Sequence, residues 1–283
     1  MSRTGVLLLT LLAMIAFAGN SLLCRLALEQ TEIDPASFTL VRIVAGAVTL
    51  CIVATAMAGK FSVEGDWRSA MFLFGYAAAC SFAYVSLSAS IGALLLFGAV
   101  QATMIGYGLI QGERLTTLQT VGSLIAVGGL VVLLLPGLSA PPLVGAALML
   151  AAGAAWGGYS LCGKGIQNPT SATAGNFLRA MLPAGLLSAA ALPWNVLDGW
   201  GVGYAVASGA ITSGLGYAVW YAAIKHLKAT TAATVQLSVP VIASAGGALL
   251  LGERITLRLL GCSVAILGGI ALVIFSKQKK SDG

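Results

Sequence analysis

The sequence predicts an all-α polytopic membrane protein with ten transmembrane helices, arranged as two inverted repeats of five helices. Composition is the first reason, because 58% of the 283 residues are hydrophobic and 8% are charged, whereas roughly a quarter of a soluble domain is charged. Run length is the second, since most apolar runs reach the ~20 residues that a helix needs to cross a bilayer. The third reason is that one long segment of the chain occurs twice.

The apolar runs between polar breaks define the predicted helices in order. In the first half, residues 1–137, the spans are 5–28, 37–58, 67–87, 89–111 and 117–136. In the second half, residues 138–283, they are 143–163, 172–194, 201–226, 230–251 and 256–276, followed by a short basic tail. The third and fourth spans are separated only by the short link from Ser86 to Ser90.

The duplicated segment reads "LIQGERLTTLQTVGSLIAVGGL" in the first half and "LLLGERITLRLLGCSVAILGGI" in the second, 140 residues later. The starts of the halves also align, "AFAGNSLLCR" (16–25) with "AWGGYSLCGK" (155–164). Each copy holds five spans, an odd number, so the second copy enters the membrane from the opposite side. Inverted repeats of this kind are typical of secondary transporters.

The charge distribution predicts that both termini lie in the cytoplasm. Arg254 and Arg258 disagree with this orientation, and Arg25, Arg42 and Arg179 lie near the outer ends of spans and do not decide it. The basic residues at predicted cytoplasmic ends are Arg3, Lys60, Arg68, Arg114, Lys164, Lys225, Lys228, Lys277, Lys279 and Lys280. The net charge of +6 therefore belongs to span ends, and no nucleic-acid partner is predicted.

The repeated GER sequence has a structural interpretation. Gly112 or Gly252 ends one helix, and Thr116 or Thr256 caps the next. The glycine pairs that follow, 128–129 and 268–269, let helices approach closely in lipid. A role of GER in substrate binding is the alternative.

The two halves, the aligned GER junctions and the segment "LKATTAATVQLSVPVIASAGGALLLGERIT" (227–256) together resemble the EamA-type branch of the drug/metabolite transporter superfamily. The resemblance covers nearly the whole chain. Within that branch, "LGYAVWYAAIKHLKAT" (215–230), taken with Trp156, is similar to aromatic amino acid exporters. The resemblance implies a carrier of the bacterial inner membrane that moves small metabolites outward.

Depth in the membrane selects the candidate substrate-binding residues. Trp156 lies about 13 residues, or ~20 Å, into its span, and Phe17 is its partner in the first half. Tyr159 and Asn20 follow three residues later on roughly the same helix faces. These four side chains can line one cavity if the halves pack about a pseudo-twofold axis; core packing is the alternative.

Further candidates come from other spans. Gln101 and Gln236 are amides in hydrocarbon and need partners, which are either neighbouring helices or the substrate. Tyr217 belongs to an aromatic cluster at helical spacing, and Tyr76 is a weaker candidate. Pro240 frees the backbone carbonyl of Gln236 and is a predicted hinge.

Embedded charge is missing from the predicted spans. All nine carboxylates lie in loops, at span ends or in the tail, so no acid is placed for proton coupling, and the deep spans lack a mid-membrane lysine or arginine. We therefore predict downhill export of amino acids and related metabolites, especially aromatic ones, through a central cavity. The alternative is efflux of another neutral or amphipathic metabolite or drug, with or without proton coupling.

Enzymatic motifs are also missing from the sequence. The five cysteines have no CxxC spacing, and the single histidine, His226, leaves a serine nucleophile without an obvious base. No enzymatic activity, metal site or cofactor is predicted. The predicted partners are a small-molecule substrate and the lipid bilayer, with a monomer as the working hypothesis.

Overall fold

The computed structural model describes residues 2–58, 64–112, 115–135, 140–163, 166–227 and 235–278. All regular secondary structure in these ranges is helical. The first half contains α1 (Arg3–Gln30), α2 (Pro35–Ala58), α3 (Trp67–Tyr84), α4 (Ala89–Ile110) and α5 (Thr117–Leu134). The second half contains α6 (Leu143–Cys162), α7 (Pro169–Ala190), a 3-10 turn (Leu192–Trp194), α8 (Gly199–Ala207), a π-helical segment (Ser208–Leu215), α9 (Gly216–Ile224), α10 (Ser238–Leu250) and α11 (Leu257–Gln278).

Seven helices in the described part of the chain are long and apolar enough to cross a membrane, and they make this a multi-pass membrane protein. They are Arg3–Gln30, Pro35–Met57, Ala89–Ile110, Thr117–Leu134, Leu143–Cys162, Gly199–Ile224 and Leu257–Ile274. The helices α3 and α7 lie in predicted spans but are not among the seven, and α10 is shorter, with 13 residues. The arrangement as ten spans in two inverted repeats stays a prediction.

The eighth predicted span differs most from a regular helix. Its middle, Ser208–Leu215, is π-helical and carries the sequence "SGAITSGL". A β-carbon added at Gly209 would clash with the backbone carbonyl of Arg42 in α2, so glycine permits this close contact. Insertions of π-helix are frequent at functional sites, and this segment contributes to the cavity described below.

The ninth predicted span, 230–251, also differs from one continuous helix in the part that the structure describes. Residues 228–234 lie outside the described residues, and the helix is recorded from Ser238 after a turn at Leu237. Pro240 is therefore in the first turn of α10, where a missing N–H is tolerated. Residues 235 and 236, just before the turn at Leu237, are also helical. Its role as a hinge stays a prediction.

The GER junctions have the predicted turn and cap chemistry. Gly112 and Gly252 both have positive φ, 85° and 66°, which glycine adopts without steric penalty. Thr116 forms a capping box with Gln119, and Thr256 Oγ1 accepts a hydrogen bond from the backbone N–H of Leu259 (3.1 Å). Residues 113 and 114 of the first junction lie outside the described residues.

Helices at corresponding positions in the two halves pack against one another. The pairs are α2 with α7, α4 with α10, and α5 with α11. The contacts of α6 with α3 and α4 have counterparts in those of α1 with α9 and α10. The core thus lies between the halves rather than within each half.

The glycine pairs of α5 and α11 divide between two environments. A β-carbon at Gly129 would lie 2.9 Å from Ala265 Cβ, and one at Gly269 would lie 2.7 Å from the backbone nitrogen of Ala126. Gly128 and Gly268 have nothing within 4 Å of an added β-carbon. The prediction of close helix approach is therefore correct for the second glycine of each pair and wrong for the first.

Candidate functional site

A small cavity lies between the two halves, bounded by α1, α3, α4, α6, the π-helical segment and α9. Its volume is about 20 Å³, which is enough for roughly one water molecule. This volume is smaller than an amino acid. The lining residues are Phe17, Asn20, Ser21, Tyr76, Leu96, Phe97, Trp156, Thr212, Ser213 and Tyr217.

Trp156 is the centre of the aromatic wall. Its ring stacks on Tyr159 with centroids 5.4 Å apart and on Tyr217 with centroids 5.3 Å apart. Tyr76 of the first half lies at 4.9 Å, tilted by 47°. The indole therefore joins both halves and presents an aromatic surface to the cavity, as expected of a mid-membrane tryptophan.

Phe17 forms the opposite part of this wall. Its ring centroid lies 5.8 Å from that of Tyr217 and 5.9 Å from that of Trp220. Tyr217 contacts both Phe17 and Trp156, so it bridges the two side chains that correspond in the sequence repeat. The structure brings together Phe17, Trp156 and Tyr217 as the sequence predicts.

Asn20 is the polar centre of the cavity. Its Oδ1 accepts hydrogen bonds from Ser208 Oγ (2.7 Å), Thr212 Oγ1 (3.4 Å) and Arg42 Nη2 (3.4 Å). Its Nδ2 donates to the hydroxyl of Tyr76 (3.0 Å). One amide thus connects α1 with α2, α3 and the π-helical segment.

Tyr159 supports the cavity from behind. Its hydroxyl donates to Thr173 Oγ1 (3.2 Å) and accepts from Asn176 Nδ2 (3.4 Å), while its ring stacks on Trp156. Thr173 in turn donates to the hydroxyl of Tyr221 (3.1 Å). Tyr159 is buried and does not line the cavity, so its geometry positions Trp156.

The two glutamines lie apart from this cavity. Gln101 and Gln236 are half-buried, and neither belongs to the lining. Gln101 follows the cavity residue Phe97 by four positions on α4 but contributes nothing to the wall. The sequence argument for them, an amide in hydrocarbon, did not specify which side of the helix faces the substrate.

Arg42 is a buried cation that the sequence analysis set aside as a residue near the outer end of its span. It lies seven residues after Pro35 in α2, ~10 Å along the axis, and only 3% of its surface is exposed. Its Nη1 donates to Cys24 Sγ (3.3 Å), and its guanidinium carbon lies 5.7 Å from the centre of the Tyr76 ring. It is therefore a buried cation directly behind the cavity wall.

Sequence reasoning also missed the hydroxyl groups of the π-helical segment. Ser208, Thr212 and Ser213 are buried, and the last two line the cavity. The run "SGAITSG" indicates these hydroxyls, because it concentrates them inside an apolar span. For Arg42 the corresponding indication is that no acidic residue lies three or four positions away with which it could pair.

The GER sequence of the second half reaches across to the first half. Glu253 accepts hydrogen bonds from the backbone N–H groups of Ala89 (2.5 Å) and Ser90 (3.2 Å) and from Ser90 Oγ (2.9 Å). A carboxylate at a helix N-terminus is stabilised by the free N–H groups there. This contact, which we call the Glu253 latch, ties the α10–α11 link to the start of α4.

A family model matches the second half of the chain. Residues 143–275 match the EamA-like transporter family, and an uncharacterized protein of Pseudomonas aeruginosa is 55% identical over 269 residues, covering 95% of this chain and 94% of that one. The second half of the chain is therefore similar to the EamA-like transporter family. The likeness to aromatic amino acid exporters within that family stays a prediction.

Other relatives of this protein are more distant. An uncharacterized transporter of Archaeoglobus fulgidus is 27% identical over 67% of this chain and 69% of its own. The threonine/homoserine exporter RhtA of Escherichia coli (strain K12) is 32% identical over 148 residues, 48% of each chain. A solved crystal structure of another protein matches with a TM-score of 0.68 at 20% identity, covering 96% of this chain and 98% of that one, which shows a shared fold.

Proposed function

We propose that this protein exports amino acids, aromatic ones in particular, from the bacterial cytoplasm by alternating access through the central cavity. The observation that carries the proposal is the cavity wall, in which Trp156, Tyr217 and Phe17 supply aromatic faces and Asn20 supplies a hydrogen-bonding amide. Pockets that bind small molecules combine mostly apolar walls with a few oriented polar groups.

Helix packing supports the inverted-repeat mechanism. Corresponding helices of the halves pack pairwise, and the cavity lies where the halves meet. Transporters built from inverted repeats bind substrate near the middle of the bilayer and expose it to each side in turn. The cavity of about 20 Å³ is smaller than an amino acid, so we propose that the surrounding helices separate when substrate enters.

The chemistry of the wall supports the substrate class and downhill transport. No lining residue is acidic, and an embedded carboxylate is the usual proton or cation site in transporters. The name of the relative RhtA indicates amino acid export for a protein that resembles half of this chain. Both sides of the cavity come from one chain, so we propose a monomer in the inner membrane, with cytoplasmic termini.

Efflux from liposomes tests this function. Purified protein is reconstituted into vesicles preloaded with labelled phenylalanine, tryptophan, threonine or a cationic dye. We expect release of the amino acids, the aromatic ones fastest, at rates that an imposed proton gradient leaves unchanged. Release of the dye alone contradicts the substrate class, and strong dependence on the gradient contradicts downhill transport.

A further inference from the structure

We propose that Arg42 is the residue that binds the carboxylate of the transported amino acid. The proposal rests on the export function above and assigns it a specificity-determining residue. Four properties of Arg42 support it: burial without a nearby carboxylate, weak hydrogen bonding, position behind the cavity wall, and difference from the other packed arginines.

Burial without a nearby carboxylate is the first property. Arg42 is 97% buried, since 3% of its surface is exposed, inside a helix that is long and apolar enough to span the membrane. Among the described residues, no carboxylate lies within salt-bridge distance of its guanidinium. An isolated buried charge is costly, and a cation inside a transmembrane segment usually marks a substrate or ion pathway.

Weak hydrogen bonding is the second property. A guanidinium has five N–H donors. The Cys80 thiol and the Tyr76 hydroxyl interact with that of Arg42, and its hydrogen-bond acceptors are a sulfur, Cys24 Sγ at 3.3 Å, and one amide oxygen, Asn20 Oδ1 at 3.4 Å. Sulfur is a weak acceptor, and the second contact is longer than the usual N–H···O distance. A planar carboxylate would instead form two parallel charge-assisted bonds with the same group.

Position is the third property. Asn20 and Tyr76 both contact Arg42 and both line the cavity. The guanidinium therefore lies one side chain behind the wall, and a carboxylate that displaced Asn20 Oδ1 would meet it directly. Ser208 also donates to that oxygen (2.7 Å), so it is a second donor placed for the same anion.

The fourth property is that Arg42 has different hydrogen-bond partners from the other packed arginines. Arg179 donates to the backbone carbonyls of Glu64 and Gly175, at 2.8 and 2.9 Å. Arg25 pairs with Glu29 at 2.5 Å, and Arg258 donates to backbone carbonyls after the middle of α5. Each of these arginines bonds to a carboxylate or to carbonyl oxygens of the fold, although Nε of Arg25 is buried without a hydrogen-bond partner. The hydrogen bonds of Arg42 include neither kind of acceptor.

Binding measurements on the purified protein in detergent test this assignment without transport. The probes are phenylacetate and phenylacetamide, which have nearly the same shape and differ in charge. A charge-assisted hydrogen-bonded pair predicts that the wild type binds the anion roughly tenfold or more tightly. In Arg42→Gln the two dissociation constants should become about equal, while the control Arg68→Gln, the same change at an exposed arginine, should keep the wild-type ratio.

An equal affinity of the wild type for both probes, or an unchanged preference in Arg42→Gln, would overturn the assignment. If Arg42→Gln does not fold, Arg42→Lys decides. Lysine keeps the charge but cannot form the bidentate pair, so the preference for the anion should fall without disappearing, and an unchanged ratio contradicts the proposal.

Efflux of phenylalanine separates this assignment from the proposed function. Release by the wild type together with a KM raised roughly tenfold in Arg42→Gln supports both. Release at the same KM by both proteins leaves the export function intact and refutes the role of Arg42. If the wild type releases no amino acid, the function is wrong, and the binding experiment still decides whether Arg42 holds a carboxylate.

Discussion

Arg42 and Arg179 occupy corresponding places in α2 and α7, and their surroundings differ. Arg179 donates to two backbone carbonyls and so ties α7 to the link before α3. Arg42 is surrounded by side chains at the cavity wall, with Asn20 and Cys24 as its recorded hydrogen-bond partners. The same residue type at related positions therefore serves the fold in one half and is available to a ligand in the other.

The two arginines also differ in the acidic residues near them. The carboxylate of Asp66 caps α3 by accepting hydrogen bonds from the backbone and the hydroxyl of Ser69. These bonds hold the pKa of Asp66 below its usual range, and the nearby positive charge of Arg179 adds to this effect. No described acid pairs with Arg42. A repeat thus supplies matching backbone positions, and the local side chains decide whether a charge is neutralised.

Gly209→Ala should have the largest effect on stability, because it disturbs the backbone next to Arg42. The added methyl group would meet the backbone carbonyl of Arg42, and neither backbone can move without disturbing the contact between α2 and the π-helical segment. Overpacking of this kind destabilises by about 1–3 kcal/mol or more. Thermal unfolding in detergent measures the loss, and Gly203→Ala, where an added β-carbon meets nothing within 4 Å, is the control.

Arg179→Gln tests whether Arg179 stabilises the fold without contributing to transport. Loss of two charge-assisted bonds to carbonyl groups is expected to lower stability by roughly 1.5–3 kcal/mol, with the flux per folded molecule close to that of the wild type. Arg42→Gln should show the opposite pattern. Thermal unfolding combined with efflux per folded molecule separates the two, and equal loss of flux in both variants contradicts the division of roles.

Trp156→Ala and Phe17→Ala compare the two aromatic partners of the repeat. Trp156 contacts three rings and Phe17 contacts two, and each aromatic pair contributes about 0.5–1.5 kcal/mol beyond buried area. We expect phenylalanine flux to fall roughly tenfold for Trp156→Ala, less for Phe17→Ala, and folded yield to stay similar. Unchanged flux in Trp156→Ala would show that Trp156 packs the core and does not bind substrate.

Glu253→Ala removes the Glu253 latch between the halves. Loss of a helix cap costs about 0.5–2 kcal/mol, and the start of α4 should separate more readily from the α10–α11 link. Ser213→Cys in a background without other cysteines reports this opening through its rate of reaction with an impermeant maleimide. Faster labelling is expected with Glu253→Ala and not with Glu29→Ala, whose carboxylate pairs within α1; equal rates would show that the latch does not restrict opening.

Asp66→Ala should have the smallest effect, about 1 kcal/mol for loss of an N-cap. The folded-state pKa of Asp66 is lowered, so its contribution is fully present above the unfolded pKa of about 4 and is lost as the pH falls through the lower folded value. The difference in melting temperature between wild type and variant should therefore shrink below about pH 4. A difference independent of pH would contradict a charged cap, and Asp66→Asn, which keeps the cap without the charge, is the control.

Several site residues were predictable because depth in the membrane and repeat alignment both selected them. Phe17, Asn20 and Trp156 all line the cavity, since a bulky or polar group far from either interface has few reasons to be there other than packing or binding. Gln101 satisfied the same depth criterion but does not line the cavity. Depth alone does not specify which face of a helix points inward.

The burial of Arg42 behind the cavity was missed for a related reason. Counting residues from a span end put it near the outer interface, where arginine is common, and no one-dimensional signal showed that α1, α3 and the π-helical segment would enclose it. The hydroxyls of Ser208 and Thr212 were missed likewise, because they meet Asn20 only after α1 packs against that segment.

From the sequence alone follow the membrane class, the positions of the helices, the glycine turns and threonine caps at the GER junctions, and the aromatic character of the cavity. These depend on local hydropathy, on φ at single residues and on alignment of the two halves. The tertiary structure decided which faces meet, which arginines bond to carbonyl oxygens of the fold and how small the cavity is. Those properties arise from contacts between residues distant in the chain, and their energies depend on burial and charge pairing, which exist only once the helices have packed.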